Sequence, residues 1–308
     1  MRAAIENNFS LVIALAFVVG MVAPGFARMF NPYILYILMG VMYLTILKID
    51  LRELKAHAAN AGYMGYLTFI ILIVTPVAVF AVTRAVYPEI AAAALIVGSL
   101  PAAIASTSFT DLLKGNVNIA LLMTTITSLL APFTMPLLIR LLIGVETDAS
   151  FTEMLLMLAQ AIFIPFTLAV LTKWTVPGLI RRTKPFYASL NILLLFFVII
   201  GPVGNNAEFI YDNVRKAITI ALFFMGISVL QHIIGWYASY WRPIEDRVAS
   251  ATVIAYNNIT LGIVFTSQFF SPLIVLSVVL YEVAWDLMPM PFQFVVRRAK
   301  GWHASPKA

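Results

Sequence analysis

The stretch GSLPAAIAST at positions 98–107 interrupts a long apolar segment with a glycine, a proline and hydroxyl side chains. A second stretch, TVIAYNNITLG at positions 252–262, places two adjacent asparagines in the middle of another apolar segment. Such residues free backbone N–H and C=O groups, which lipid cannot hydrogen-bond. At membrane depth an interrupted helix is tolerated only where it is buried in protein or lines a cavity. Both stretches therefore predict a binding site within the membrane-spanning part of the chain.

The composition predicts an all-α polytopic membrane protein. The chain is 62% hydrophobic and 11% charged, with a mean hydropathy of +0.95. Soluble domains carry roughly 25% charged residues, so the bilayer is the solvent for most of this chain. The absence of cysteine excludes disulfides and thiolate metal sites.

Hydropathy predicts ten membrane-spanning helices of about 20 residues each. They cover roughly 9–27, 31–49, 62–84, 90–110, 116–141, 153–173, 186–204, 214–239, 247–269 and 272–296. The apolar run at 11–23 also fits a signal peptide. Retaining it gives an even number of spans and two halves of five.

The distribution of Lys and Arg predicts the orientation. Most of the 20 basic residues fall on the side of the N-terminus, and the others lie on the opposite face: Arg28, Arg84, Arg140, Arg215 and Lys216. We therefore expect a multi-pass protein of the cell membrane with both termini cytoplasmic. The net charge of +6 is then a topology signal, and no nucleic-acid partner is expected.

An odd number of spans in each half inserts the halves with opposite orientation, which is the inverted-repeat architecture of many secondary transporters. We expect one membrane domain over 1–308, with a first repeat at 1–148 and an inverted second repeat at 149–308. Spans 4 and 9 are then equivalent, and they contain the two interrupted stretches. No phosphate-binding glycine loop is present, so transport driven by ATP is not expected.

The interrupted stretches supply oxygen ligands and helix ends inside the membrane. Hard cations such as Na⁺ prefer hydroxyl, amide and freed carbonyl oxygens. Half-helix N-termini would favour an anionic substrate. The candidate side chains are Ser106, Thr107, Thr124, Asn257 and Asn258. Hydroxyl and amide side chains also join membrane helices by hydrogen bonds, and this alternative stays open, above all for Thr124.

Several motifs resemble the bile acid:sodium symporter family over nearly the whole chain. They include Asn116 after Gly115 and Pro101 before Ser106-Thr107, with Asn257-Asn258 similar to that family's glutamine-asparagine pair. The resemblance implies a bacterial-type ten-helix fold with a panel domain (spans 1, 2, 6 and 7), a core domain (spans 3–5 and 8–10), and helices 4 and 9 crossing. It also implies Na⁺-driven uptake of organic anions by alternating access.

The resemblance assigns roles to this chain residue by residue. Substrate contacts would be Asn258, Ile104 and Ser106. Cation ligands would be Ser106, Thr107, Thr124, Asn257, Ile254 and Tyr256. Where the family has a serine, a glutamate and a glutamine, this chain has Ala120, Val253 and Ile71, so the sodium sites are degenerate.

Span 10 offers another route for coupling. Glu282 and Asp286 lie one turn apart, and carboxylates inside a membrane are by default functional candidates. Together with His232 of span 8 they form a candidate proton relay. Asp286 also fits an interfacial position, and His232 also fits a helix–helix contact.

These observations predict a secondary active transporter of small organic anions, with Na⁺ as the coupling ion and no other cofactor, metal or obligatory protein partner. The alternatives are H⁺-coupled or uncoupled transport using Glu282, and a membrane receptor that binds without flux. An enzyme is not expected, because His57, His232 and His303 are too scattered to ligate a metal.

Overall fold

The computed structural model describes residues 9–48, 61–144 and 150–301. Over these ranges the chain is helical, and its only β-type pairing is a single bridge between Ala102 and Asn257. The predicted cytoplasmic termini, with His303, and the loop that contains His57 lie outside the described residues. The predicted junction between the two repeats at 148–149 lies outside them as well.

The α-helices within the described ranges are numbered in chain order. They are α1 Phe9–Val22, α2 Pro24–Arg28, α3 Ile34–Lys48, α4 Ala61–Phe69, α5 Thr75–Val86, α6 Ala91–Ser99, α7 Ala105–Leu112, α8 Val117–Leu142, α9 Phe151–Thr175, α10 Pro177–Thr183, α11 Tyr187–Asn205, α12 Ala207–Asp212, α13 Val214–Ala238, α14 Ile244–Ala255, α15 Ile259–Phe269, α16 Pro272–Leu287 and α17 Pro289–Ala299. A π-helical turn, Ile70–Val74, joins α4 to α5, and 3₁₀ turns lie at Asn31–Tyr33, Pro88–Ile90 and Lys184–Phe186.

Seven helical segments are long and apolar enough to cross a membrane, which makes this a multi-pass membrane protein. They are Pro24–Lys48, Ala61–Val86, Val117–Leu142, Phe151–Thr175, Pro177–Asn205, Val214–Ala238 and Pro272–Ala299. The predicted spans 1, 4 and 9 correspond to shorter apolar helices, Leu11–Val22, Pro88–Ser99 and Ile259–Phe269. The last two are short because the interruptions divide their spans into α6 and α7 and into α14 and α15.

The helices pack into two bundles. In the first bundle, α1 and α2 pack against α11, and α3 packs against both α9 and α11. The second bundle comprises α4–α8 and α13–α16, in which α8 packs on α6, α7 and α14, and α13 packs on α14 and α16. The two bundles meet along α15, which contacts α3, α9 and α11, and along α8, which contacts α9.

Two glycines allow close helix approach in the second bundle. A Cβ added at Gly98 of α6 would lie 2.8 Å from the Cα of Pro76 in α5. A Cβ added at Gly235 of α13 would lie 2.5 Å from the Cα of Ala251 in α14. Small residues at such contacts let membrane helices pack through their backbones. The two interrupted helices are therefore each held firmly against a neighbour.

Candidate functional site

The two interruptions cross each other, and their backbones pair there. The N–H of Ala103 donates to the carbonyl of Tyr256 at 2.9 Å, and the N–H of Asn258 donates to the carbonyl of Pro101 at 2.8 Å. This exchange forms the antiparallel bridge between Ala102 and Asn257. Each break thus satisfies backbone groups that the other break has freed from helical bonding.

Side chains form hydrogen bonds with further backbone groups at the crossing. The amide Nδ2 of Asn257 donates to the carbonyl of Val97 at 2.6 Å, which links the second break to the end of α6. The N–H of Ala102 donates to Oγ1 of Thr127 in α8 at 3.2 Å. Thr127 was not among the residues that the sequence predicted, because only the crossing brings this helix to the break.

Tyr281 of α16 supports the end of α14 in the same way. Its single O–H is shared between two acceptors, the carbonyl of Ala255, which ends that helix, at 3.0 Å and Oε1 of Gln231. The Tyr281 side chain is fully buried, so the two acceptors depend on it rather than on water.

Three hydroxyl side chains that were predicted as cation ligands lie beside the first break. Oγ of Ser106 donates to the carbonyl of Ala103 at 2.6 Å, and Oγ1 of Thr124 lies 3.4 Å from both of those oxygen atoms. Thr107 turns to the carbonyl of Ile104, to which its hydroxyl donates at 2.7 Å. Two hydroxyls and a carbonyl therefore form one compact group of uncharged oxygens, which is the chemistry a hard monovalent cation accepts.

Asn258 stands at the start of α15 and faces the first bundle. Its Oδ1 accepts from the N–H of Leu261 at 3.3 Å and so caps the helix. Among the described residues its Nδ2 has one acceptor, the thioether sulfur of Met42 in α3, at 3.5 Å. Sulfur is a weak acceptor, so the amide has unused donor capacity at this position.

His232 is engaged in a helix–helix contact. Its Nδ1 bonds to the carbonyl of Ser228 at 2.7 Å, its Nε2 bonds to the hydroxyl of Tyr256 at 3.2 Å, and its ring packs on Phe292. The side chain is buried and outside the cavity described below. The geometry therefore favours a structural helix–helix contact for His232 over a role in the proton relay.

The three positions at which the family's polar residues are replaced lie together. Ile71, Ala120 and Val253 are buried members of one hydrophobic cluster, which also contains Met123 and Ile254. The Ile254 side chain therefore contributes to this apolar packing. The side chains of this cluster therefore offer no ligand to a cation, and only backbone carbonyls could do so here.

A cavity of about 400 Å³ lies between the two bundles at the crossing. Its walls come from α3, α9 and α11 on one side and from α7, α8, α15 and α16 on the other. It is lined by several of the predicted residues: Ile104, Thr124, Asn257, Asn258 and Glu282. Ser106, Thr107 and Asp286 are not part of this lining, although the first two lie in the adjoining break.

Three polar groups on side chains that line the cavity lack a hydrogen-bond partner among the described residues. Within the described ranges the carboxylate of Glu282 makes no hydrogen bond or ion pair, while Oδ1 of Asn191 and Nε1 of Trp285 are buried without one. Asn191 and Trp285 were not among the residues predicted from the sequence. An asparagine within an apolar span was a usable signal for the former, whereas an indole in a membrane helix points to no single role.

Interrupted helices that cross beside a cavity define a class of polytopic membrane transport proteins. The model of the Sodium Bile acid symporter family matches residues 35–213, more than half of the chain, and the chain belongs to that family. It is similar to the "Uncharacterized sodium-dependent transporter YocS" of Bacillus subtilis (strain 168), with 23% identity over 201 residues. That match covers 65% of this chain and 62% of the relative's length.

Proposed function

We propose that this protein is a secondary active transporter that carries small organic anions across the cell membrane, coupled to Na⁺ and working by alternating access. The observation that carries the proposal is the crossing of two interrupted helices, joined by backbone hydrogen bonds, beside a cavity of about 400 Å³. Membership of the sodium bile acid symporter family supports transport. The similar Bacillus protein is named as a sodium-dependent transporter, which supports sodium as the coupling ion.

The proposed architecture has ten spans in two inverted repeats, 1–148 and 149–308, with both termini cytoplasmic. The helix contacts support it because they occur in equivalent pairs. The first span packs on the seventh (α1 on α11), and its equivalent, the sixth, packs on the second (α9 on α3). Similarly, α5 packs on α6 and α13 packs on α14, each pair through a glycine.

The first bundle corresponds to the panel and the second to the core. Within the described ranges, one side-chain hydrogen bond connects them, from Asn258 to the sulfur of Met42. By contrast, each bundle is internally bonded, as in the pair formed by Asn191 and Thr45 at 2.7 Å. We propose that the core moves against the panel as a rigid body, since this boundary has the fewest directional bonds to break.

The proposed anion site is the part of the cavity at the two half-helix N-termini. The starts of α7 and α15 both line the cavity, so the positive ends of their helix dipoles lie beside it. Asn258 adds its amide and Ile104 shapes the wall. Ser106, two residues after Ile104, is the third proposed contact, although it is not part of this lining. With the proposed orientation, Lys48 of the lining places the cavity toward the cytoplasm.

The proposed sodium site lies at the first break, behind this wall. Its ligands are the hydroxyls of Ser106, Thr107 and Thr124, the amide oxygen of Asn257 and the backbone carbonyls of Ile254 and Tyr256. The compact group formed by Ser106, Thr124 and the Ala103 carbonyl supports this placement. No carboxylate belongs to the set, and a cation held by neutral oxygens has less Coulombic stabilisation, so we expect weak sodium binding.

A second candidate function is coupling to protons through Glu282, or uncoupled transport. It is favoured by the position of this carboxylate, which lines the cavity with no protein partner in the described part of the chain. Asp286, one turn further, and His232 would complete the relay in this version. Neither of these two residues lines the cavity.

The test is radiolabelled uptake into proteoliposomes, with a panel of small keto acids, hydroxy acids and amino carboxylates. Each compound is measured under an imposed Na⁺ gradient and then under an imposed pH gradient. Uptake driven by Na⁺ and lost in Thr124→Val, but kept in the matched variant Thr134→Val on the same helix, supports the sodium site. Uptake driven only by protons and lost in Glu282→Gln replaces it with the proton version. Binding without flux identifies a receptor.

A further inference from the structure

The polar atoms that the cavity leaves unpaired describe what its ligand must supply. Asn191 is 8% exposed and Trp285 is 9% exposed, yet Oδ1 of the former and Nε1 of the latter have no hydrogen-bond partner. Buried polar groups without a partner are rare in native structures, and a bound ligand is one standard explanation. The two residues stand on opposite walls, in α11 and α16.

The unpaired groups include hydrogen-bond acceptors as well as the donor that an anionic ligand would use. Oδ1 of Asn191 accepts hydrogen bonds, because Nδ2 of this amide already donates to Thr45. The Glu282 carboxylate lines the cavity one turn before Trp285 and is also an acceptor. The lining within the described ranges contains no arginine or histidine, and its one lysine is Lys48 at the end of α3. A ligand that is only an anion would meet an unneutralised carboxylate in a site of low dielectric.

We propose that the substrate is an amphipathic zwitterion, an amino carboxylate whose ammonium group pairs with Glu282. This inference rests on the proposed function in using the same cavity and the same carboxylate group, and it adds an ammonium group to the substrate, which makes the substrate zwitterionic. An ammonium group has three N–H donors, so it matches the acceptors Glu282 and Asn191 on the two walls. The carboxylate of the substrate lies at the half-helix N-termini and accepts from the Trp285 N–H.

The rest of the cavity fits an apolar substrate body. Its walls include Ile162, Phe166, Ile192, Leu195 and Ile263. Ligand sites of this kind combine mainly apolar walls with a few polar groups that fix orientation. In this cavity Glu282 would select substrates that carry a positive group. Asn191 and Trp285 would act as specificity-determining residues.

The experiment measures binding, not flux, with ligand pairs that differ only by the amino group. The pairs are 8-aminooctanoate with octanoate and L-phenylalanine with 3-phenylpropanoate. They are titrated calorimetrically into the full-length purified chain in lipid nanodiscs with NaCl. The wild type is expected to bind the amino member at least about tenfold more tightly, as a charge-assisted hydrogen bond allows.

The variants locate the preference. Glu282→Gln keeps the shape of the side chain and is expected to abolish the preference. Asp111→Asn, which removes an exposed carboxylate from α7 outside the cavity lining, is expected to keep it. Trp285→Phe and Asn191→Ala are each expected to weaken binding of the amino member about threefold to tenfold.

Three outcomes overturn the inference: tighter or equal binding of the deaminated member, a preference that persists in Glu282→Gln, and failure of every amino carboxylate to bind. Failure of the proposed function looks different. In that case the amino carboxylates bind with the stated preference, but proteoliposomes show no uptake under either gradient.

Discussion

Replacing Thr127 by valine tests whether the crossing depends on hydrogen bonds to its freed backbone groups. Thr127→Val keeps the shape of the side chain and removes the oxygen that accepts the Ala102 N–H at 3.2 Å. Ala102 is 1% exposed, so no water replaces this partner. Leaving a buried donor unsatisfied costs about 1–3 kcal/mol. Hydrogen bonds between membrane helices average nearer 0.6 kcal/mol, so we expect a loss of about 1–2 kcal/mol.

Thr134→Val is the matched control on the same helix. The Thr134 hydroxyl donates only to the carbonyl of Leu130, within its own helix, at an exposed position, so we expect a change within about 0.5 kcal/mol. Both variants are unfolded reversibly with SDS, and the fluorescence of the 5 tryptophans reports the folded fraction. Equal stability of the two variants would refute the claim that the break is held by side-chain partners.

Two other substitutions test the packing and bonding around the crossing by the same unfolding assay. Gly98→Ala places a Cβ 2.8 Å from a backbone atom of α5, so overpacking is expected to cost about 1–3 kcal/mol. Gly65→Ala meets nothing within 4 Å and is expected to be neutral or stabilising; a loss as large as that of Gly98→Ala would contradict the packing argument. Tyr281→Phe leaves the buried Ala255 carbonyl without its hydroxyl donor and is expected to cost about 1–3 kcal/mol. Tyr211→Phe, at an exposed hydroxyl, is expected to change stability by less than about 0.5 kcal/mol, and a matching loss in both tyrosine variants would count against the role of burial.

The two interruptions were predictable from the sequence because helix breakers act locally, whereas their crossing was expected from the resemblance. Pro101 lacks a backbone N–H and crowds the preceding turn, and two adjacent amides in an apolar segment need partners. The structure confirms the all-helical, multi-pass fold, and it places Asn257 and Asn258 at the crossing with Ala102 and Ala103. The count of ten spans stays a prediction, since the interrupted helices are too short to identify as spans by length alone.

The partners of the crossing were not predictable, because they depend on which helices meet there. Thr127 is one of several threonines in its segment, and only the packing of α8 on α6 and α7 directs it to Ala102. Asn191 and Trp285 gain their meaning from being buried and unpaired on the walls of one cavity. Glu282 was predicted as an intramembrane carboxylate, but its place in that cavity needed the structure.

The amide–sulfur contact between Asn258 and Met42 has a consequence for rate as well as for position. A thioether accepts hydrogen bonds weakly, and no other side-chain hydrogen bond between described residues crosses this boundary, so dispersion, which has no preferred direction, holds the rest of what is described. In the proposed movement, sliding one bundle past the other would therefore break few hydrogen bonds at the top of the barrier. The height of that barrier would follow how much apolar surface is transiently unpacked, so the size of the side chains along α15 and α3, more than their polarity, would set the turnover rate.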